Sequence, residues 1–163
     1  MACRAAAPLV DRSDWFDVAV SSPGPSPPHA GLKRECSARR DGSPGRINRR
    51  VDVLQTGPAP PPDAPVVVQV SRWDRQKDMA GVLAGFAEHV DPAFGAHLLL
   101  VGPAVTGVAD DPEAAEVLEE CMERWRSLPH AARSRVHLAC TPMADPDEAA
   151  AIVNALQRHA AVV

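Results

Sequence analysis

Several patterns that would assign this chain to a common class are missing from it. No apolar run approaches the ~20 residues that a membrane-spanning helix needs, and the first ten residues, with one cation and a proline, make a poor signal peptide. The four cysteines, at positions 3, 36, 121 and 140, show neither CxxC spacing nor a regular framework. Neither a zinc site nor a disulfide scaffold is therefore indicated. We expect a cytoplasmic protein with reduced thiols and no membrane partner.

Common catalytic and nucleotide-binding motifs are also missing. The sequence has no Gly-x-x-x-x-Gly-Lys-Ser/Thr run, which excludes a P-loop, and no Gly-x-Ser-x-Gly elbow, which argues against an α/β-hydrolase. The histidines have no i,i+4 partner suited to a metal ion. We therefore expect neither a metal site nor any other cofactor, and we interpret Cys121 and Cys140 as small buried hydrophobic residues.

The positive charge of the chain is concentrated at its beginning. Residues 1–50 carry nine Lys or Arg against five acids, whereas residues 51–163 carry eight against sixteen. The basic stretch has no aromatic residue between Phe16 and Trp73, although single-stranded nucleic acid is bound by basic grooves with interleaved aromatic rings. The acidic remainder would repel a phosphate backbone. We expect no nucleic-acid partner, and residues 1–50 remain either a regulatory tail or sequence read through from an incorrect gene start.

Proline content sets the expected domain boundary. Pro23-Gly-Pro-Ser-Pro-Pro28 and Pro58-Ala-Pro-Pro-Pro62 can join neither a helix nor a central strand. We predict that residues 1–62 form a disordered, Pro-rich basic tail and linker, and that residues 63–163 form one folded domain.

Strand-like and helix-like segments alternate from residue 63 onward, which predicts an α/β domain built on a parallel sheet with flanking helices. Strands are predicted at 66–70, 98–101, 136–140 and 161–163. Helices are predicted at 79–90, 112–128 and 145–159, with Asp78 and Asp111 as the caps of the first two. We expect right-handed crossovers to place these helices alternately on the two faces of the sheet.

The first predicted strand, Val66-Val-Val-Gln-Val70, runs directly into two cations, Arg72 and Lys77. In an open α/β sheet, ligands bind beyond the carboxyl ends of the strands. Arg72 offers a planar fork for two oxygen contacts and Lys77 a mobile point charge, a combination that suits a phosphate. Taken alone, such a pair is more often a surface pair, with Asp74 and Asp78 as its local partners.

Two further residues of the same segment have competing interpretations. Trp73 is expected to pack beneath the turn rather than to stack on a ligand ring, and Arg75 is expected at the surface. Neither residue is therefore assigned to the predicted phosphate site.

The segment from Ser71 to Asp78 resembles the part of retaining GT-B glycosyltransferases in which an Arg and, five residues later, a Lys hold the phosphates of the donor. Within that group the chain looks most like the trehalose synthase branch, and the resemblance covers about residues 51–163. The stretches that carry it are Gln69-Val-Ser-Arg-Trp-Asp74 with Lys77-Asp78, Leu98-Leu-Leu-Val-Gly102 followed by Asp110-Asp-Pro-Glu113, and Ile152-Val-Asn-Ala-Leu-Gln-Arg158.

The resemblance implies a Rossmann-like, partial GT-B carboxyl-terminal domain in which Arg72 and Lys77 bind the donor phosphates. The ligand would be a nucleotide sugar or a sugar phosphate, and glucose the acceptor, because both trehalose synthases and trehalose phosphorylases share the scaffold. Relatives hold the nucleotide base largely through main-chain groups after the third strand, near Thr141 and Met143.

The resemblance also bears on catalysis. The family's Glu-Gly-Phe-Gly motif and its acceptor-binding domain are not found in these 163 residues. We therefore assign no catalytic residue and expect no turnover by this chain alone. The alternative interpretation is a non-catalytic nucleotide- or phosphate-binding module that acts through a partner chain.

Overall fold

A computed structural model describes residues 51–56, 59–105 and 111–163; residues 1–50, which make up most of the predicted tail and linker, lie outside the described residues. Within them the chain forms four strands, which we number β1 (Asp52–Leu54), β2 (Val66–Val70), β3 (His97–Pro103) and β4 (Val136–Thr141). The helices are α1 (Met79–His89), α2 (Pro112–Ser127), α3 (His130–Arg133) and α4 (Pro146–His159), and single 3-10 turns cover Arg75–Lys77 and Pro92–Phe94. The expected α/β organisation is confirmed.

Helix starts follow the local sequence closely. Asp78 caps α1 by accepting a hydrogen bond from the Gly81 N–H at 3.0 Å, and Asp111 caps α2 through the Ala114 N–H at 3.0 Å. Asp145 caps α4 by accepting from two backbone N–H groups. The helices α2 and α4 each have a proline in the first turn, where its missing N–H costs no hydrogen bond.

The sheet has the order β1-β4-β3-β2. β2, β3 and β4 are parallel, as expected, but β1 pairs antiparallel with β4, so the sheet is mixed. The expectations of a purely parallel sheet and of disorder throughout residues 1–62 are therefore wrong for residues 52–54. Three residues are too few to give a readable alternation, and their partners, Leu138 to Cys140, lie far away in the sequence.

The direction in which strands are added reverses after β4. From β2 the chain adds β3 and then β4 on one side, whereas the segment after α4 returns to the free edge of β2. There Val162 forms an isolated parallel bridge with Val67, and the Val68 N–H donates to the Val162 carbonyl at 2.9 Å. The predicted fourth strand, 161–163, is thus present as a single bridge.

This reversal decides on which face each helix lies. α1 and α2 pack with Leu98, Leu100 and Leu138 on one face, whereas α4 packs through Ile152 and Leu156 on the other. The predicted strict alternation of faces is wrong. Crossovers of one hand keep helices on one face while strands are added in one direction, and the face changes only where that direction reverses.

No helix among residues 51–56, 59–105 and 111–163 has the length and hydropathy to cross a bilayer.

Candidate functional site

The segment that carries Arg72 and Lys77 leaves the carboxyl end of β2, the strand from which the sheet extends in both directions. Arg72 follows this strand by two residues, and 76% of its side chain is exposed. Lys77 is the last residue of the 3-10 turn and is also exposed. The structure therefore puts both predicted cations on one short connection at the end of a buried strand.

Trp73 anchors this connection to the neighbouring strand. Its side chain is 1% exposed, and its indole Nε1 donates a hydrogen bond to the Pro103 carbonyl at 2.8 Å. The ring lies against Gly102, where an added Cβ would approach the indole Nε1 to 2.5 Å. Trp73 therefore packs beneath the turn, as predicted, and glycine is needed at position 102 for that packing.

Arg75 ties the same connection to α2. Its guanidinium contacts the Glu116 carboxylate at 2.6 Å and that of Glu113 at 3.7 Å. The expected surface position is confirmed, and the two partners were not predicted. Because Arg75 is matched by these carboxylates, its charge is largely compensated within the protein.

The backbone around Lys77 is held by three groups. The Lys77 N–H donates to the Asp74 carbonyl at 3.0 Å, and the Lys77 carbonyl accepts from Gln69 Nε2 at 3.0 Å. The following residue, Asp78, has φ 44°, in the left-handed region that non-glycine residues seldom adopt. A side chain at Gly81 would collide with the Asp78 carboxylate, with its Cβ only 2.6 Å from the Asp78 Cγ. A larger residue there would therefore displace the Asp78 carboxylate from its capping position.

The charges near the two cations are unevenly compensated. Arg72 contacts the Asp74 carboxylate at 3.3 Å, and Asp74 also accepts from the Gln76 N–H at 2.8 Å. Lys77 makes no ion pair within the part of the chain that the structure describes. Because the Asp78 carboxylate occupies the first turn of α1, an anion at this site has to be held by side-chain cations rather than by the amides of that helix.

The ends of β3 and β4 lie beside this connection. Thr141 is buried, and its hydroxyl donates to the Gly102 carbonyl at 3.2 Å, so its side chain has a structural role. Met143 is half exposed in the loop that follows. These residues border the end of the sheet at which Trp73 is anchored.

A histidine pair that the sequence did not predict lies near the start of β3 and β4. His97 Nδ1 and His137 Nε2 are 3.0 Å apart, so one imidazole donates to the other. The ring centroids are 5.2 Å apart, which is longer than the nitrogen–nitrogen distance by about two ring radii. The rings therefore meet through their nitrogen-bearing edges rather than face to face. Only the register of β3 and β4 brings them together, and His137 Nδ1 is buried without a partner among the described residues.

Burial controls the protonation of this pair. Desolvation, and then the neighbouring His97, lower the pKa of His137 to about 3. The pKa of His97 is also lowered, first by burial and then by the Arg135 guanidinium. Both rings are therefore neutral near pH 7 and donate and accept hydrogen bonds as neutral imidazoles.

The described residues also bear on thiol chemistry and on metal binding. Burial, followed by Glu120, raises the pKa of Cys121 to about 11, so its thiol stays protonated and unreactive near neutral pH. No group of three or more His, Cys, Asp or Glu side chains within residues 51–56, 59–105 and 111–163 is arranged to hold a metal ion.

No family model matches the chain, and no curated protein matches it.

Proposed function

We propose that the connection from Arg72 to Lys77 binds the phosphates of a nucleotide sugar or a sugar phosphate, as in the donor-binding domain of a trehalose synthase-like GT-B glycosyltransferase. The observation that carries this proposal is the placement of two exposed cations at the carboxyl end of β2, where strand order reverses. Such reversal points are where open α/β sheets bind their ligands.

Strand order supports the Rossmann-like part of the proposal. Numbered by their sequence, the parallel segments β2, β3, β4 and the Val162 bridge stand in the spatial order three, two, one, four. The first four strands of a Rossmann fold, whose full order is 3-2-1-4-5-6, stand in this same order. Helices on both faces, with the change of face at the reversal, agree with it.

The chemistry of glycosyl transfer explains why two cations are useful here. As the bond between the sugar and the phosphate of the donor breaks, negative charge grows on the oxygens of the departing phosphate. Arg72 and Lys77 offer positive charge to those oxygens from a turn whose backbone is already ordered, and positive charge placed where negative charge develops stabilises a transition state. The Asp74 carboxylate near Arg72 is a competitor that a phosphate must displace or share.

A non-catalytic binding module is the second candidate, and one observation favours it. The two carboxylates of this segment, Asp74 and Asp78, are used as caps, accepting from the Gln76 and Gly81 N–H groups respectively. A site built from cations and capping carboxylates binds an anion but supplies no obvious acid or base. Formation of a disaccharide from nucleotide-linked glucose and free glucose would reject this alternative, whereas binding without product is expected of both candidates and does not separate them.

The test is a binding titration of the full chain by calorimetry. The probes are UDP-glucose, ADP-glucose, GDP-glucose and a glucosyl phosphate. Hydrogen bonds to charged groups contribute about 1.5–3 kcal/mol, and exposure places Arg72 at the lower end, so Arg72→Ala and Lys77→Ala should each weaken binding about tenfold.

The matched control removes one positive charge from another exposed ion pair. Arg124 pairs with Glu120 at 3.1 Å on α2, so Arg124→Ala changes the net charge equally without touching the turn. Its affinity should equal that of the wild type. Equal weakening by all three substitutions would show that binding depends only on net charge. Wild-type protein that binds none of the probes would reject the proposed function.

A further inference from the structure

Gln69 is a polar residue in a strand otherwise made of valines. Val66, Val68 and Val70 lie on the α4 face of β2, so alternation puts Gln69 on the α1 face at the carboxyl end of the strand. Another valine would suit both the strand and its packing. The glutamine instead directs its amide at the backbone of Lys77, eight residues later, with Nε2 donating to the Lys77 carbonyl at 3.0 Å.

This amide is only half satisfied. Gln69 Oε1 is buried and has no hydrogen-bond partner among the described residues. Turning the amide over would set Oε1 against the Lys77 carbonyl, acceptor against acceptor. The hydrogen bond from Nε2 to the Lys77 carbonyl, which we call the tether, therefore requires the orientation that leaves Oε1 without a partner among the described residues. A buried acceptor without a partner lowers stability. Among the described residues, the hydrogen bond to the Lys77 carbonyl is the one that the Gln69 side chain makes.

The tether completes the fixation of Lys77. Its N–H donates to the Asp74 carbonyl, its carbonyl accepts from Gln69, and Asp78 turns the chain into α1 with φ 44°. Both hydrogen-bonding groups of the Lys77 backbone are thus engaged while its side chain stays exposed. The direction in which this side chain leaves the backbone is consequently fixed by its neighbours.

We propose that Gln69 is a positioning residue for the phosphate site, which fixes the backbone of Lys77 so that the ammonium group is presented to the anion that Arg72 also contacts. This inference rests on the proposed function and deepens it. A cation whose backbone is already ordered loses less conformational entropy when the anion binds. Gln69 acts through Lys77 and does not itself contact the ligand.

The test compares Gln69→Met with the wild-type chain. Methionine has a similar shape and removes both polar groups of the amide, the donor of the tether and the unpaired Oε1. We expect the dissociation constant for the tightest-binding nucleotide-glucose probe to rise about fivefold, while the urea midpoint of unfolding is unchanged or higher. Gln76→Met, at an exposed position of the same turn, is the control and should alter neither value.

A double-mutant cycle separates positioning from a general structural effect. In a Lys77→Ala background Gln69→Met should cause no further weakening, whereas in an Arg72→Ala background it should keep its full effect. Unchanged binding by Gln69→Met, or equal weakening with and without Lys77, would overturn the role of Gln69 and leave the phosphate site standing. Wild-type protein that binds none of the probes would overturn both.

Discussion

Gly102→Ala is the substitution that most directly tests how the candidate site is held. Gly102 lies in β3 beneath the indole of Trp73, and a Cβ on its backbone would come within 2.5 Å of Nε1 and 2.9 Å of Cδ2. The indole is a rigid ring, and its Nε1 is already bound to the Pro103 carbonyl at 2.8 Å. Either the ring leaves its position or β3 bends.

Both responses have a predictable cost. Insertion of a methyl group into a packed core costs about 1–3 kcal/mol, and loss of the indole hydrogen bond adds about 1 kcal/mol. We therefore expect Gly102→Ala to lower the free energy of unfolding by about 2–4 kcal/mol, a large share of the 5–15 kcal/mol typical of domains. Because the displaced ring carries the turn with it, phosphate affinity should also fall.

The assay is equilibrium unfolding in urea, followed by far-ultraviolet circular dichroism. Gly85→Ala is the matched control, because a Cβ at Gly85 meets no atom within 4 Å and the position lies inside α1. There alanine should raise stability by up to about 1 kcal/mol, since it is the better helix former.

The decisive comparison is made in a Trp73→Leu background. Removing the indole removes the atoms that Cβ would strike, so Gly102→Ala should then cost less than about 1 kcal/mol. A cost that is as large with leucine at position 73 as with tryptophan would refute the packing argument. A cost below about 0.5 kcal/mol in the wild-type background would refute it as well.

Three further outcomes follow from the charges and protonation states. Asp74→Asn keeps an oxygen for the turn but removes the carboxylate 3.3 Å from Arg72, so probe affinity should rise about twofold to fivefold; an unchanged dissociation constant in the same titration would contradict this. His137, with its pKa lowered to about 3, stays neutral in the folded chain while the unfolded chain protonates near pH 6.5. Neutral His137 therefore makes its full contribution to the free energy of unfolding above pH 6.5, and this contribution declines by up to about 1.4 kcal/mol per pH unit below it. Urea midpoints should consequently fall less steeply with acid in His137→Leu than in the wild type. Cys121, fully buried with its pKa raised to about 11, should react with iodoacetamide near pH 8 only when urea unfolds the chain, and mass spectrometry of the native protein should find it unlabelled.

Local signals sufficed for the elements that the sequence predicted correctly. The valine run of β2 and the apolar run of β3 indicate buried strands, and Asp78 and Asp111 stand directly before helices whose first turns they cap. Each of these features depends on residues within a few positions of one another. Such features can be read without knowing which strands are neighbours.

The features that sequence did not predict depend on contacts between separate elements of the fold. The strand β1 is defined by its partner β4, and the His97–His137 contact depends on the register between β3 and β4. The pairing of Arg75 with Glu116 spans 41 residues, and the Gln69 tether joins a strand to a turn. The periodicity of a short sequence segment does not predict these contacts, because each is set by tertiary structure.

The division between engaged and exposed side chains distinguishes this turn from an ordinary surface connection. Trp73 and Arg75 hold it to β3 and α2, and Gln69 holds its last carbonyl. Arg72 and Lys77 are left exposed, with one carboxylate contact for Arg72. In a surface ion pair, holding two long side chains in one geometry costs conformational entropy, which is one reason why such pairs contribute so little. Here the backbone is ordered before any ligand arrives, so an anion would have to order only the two side chains that contact it.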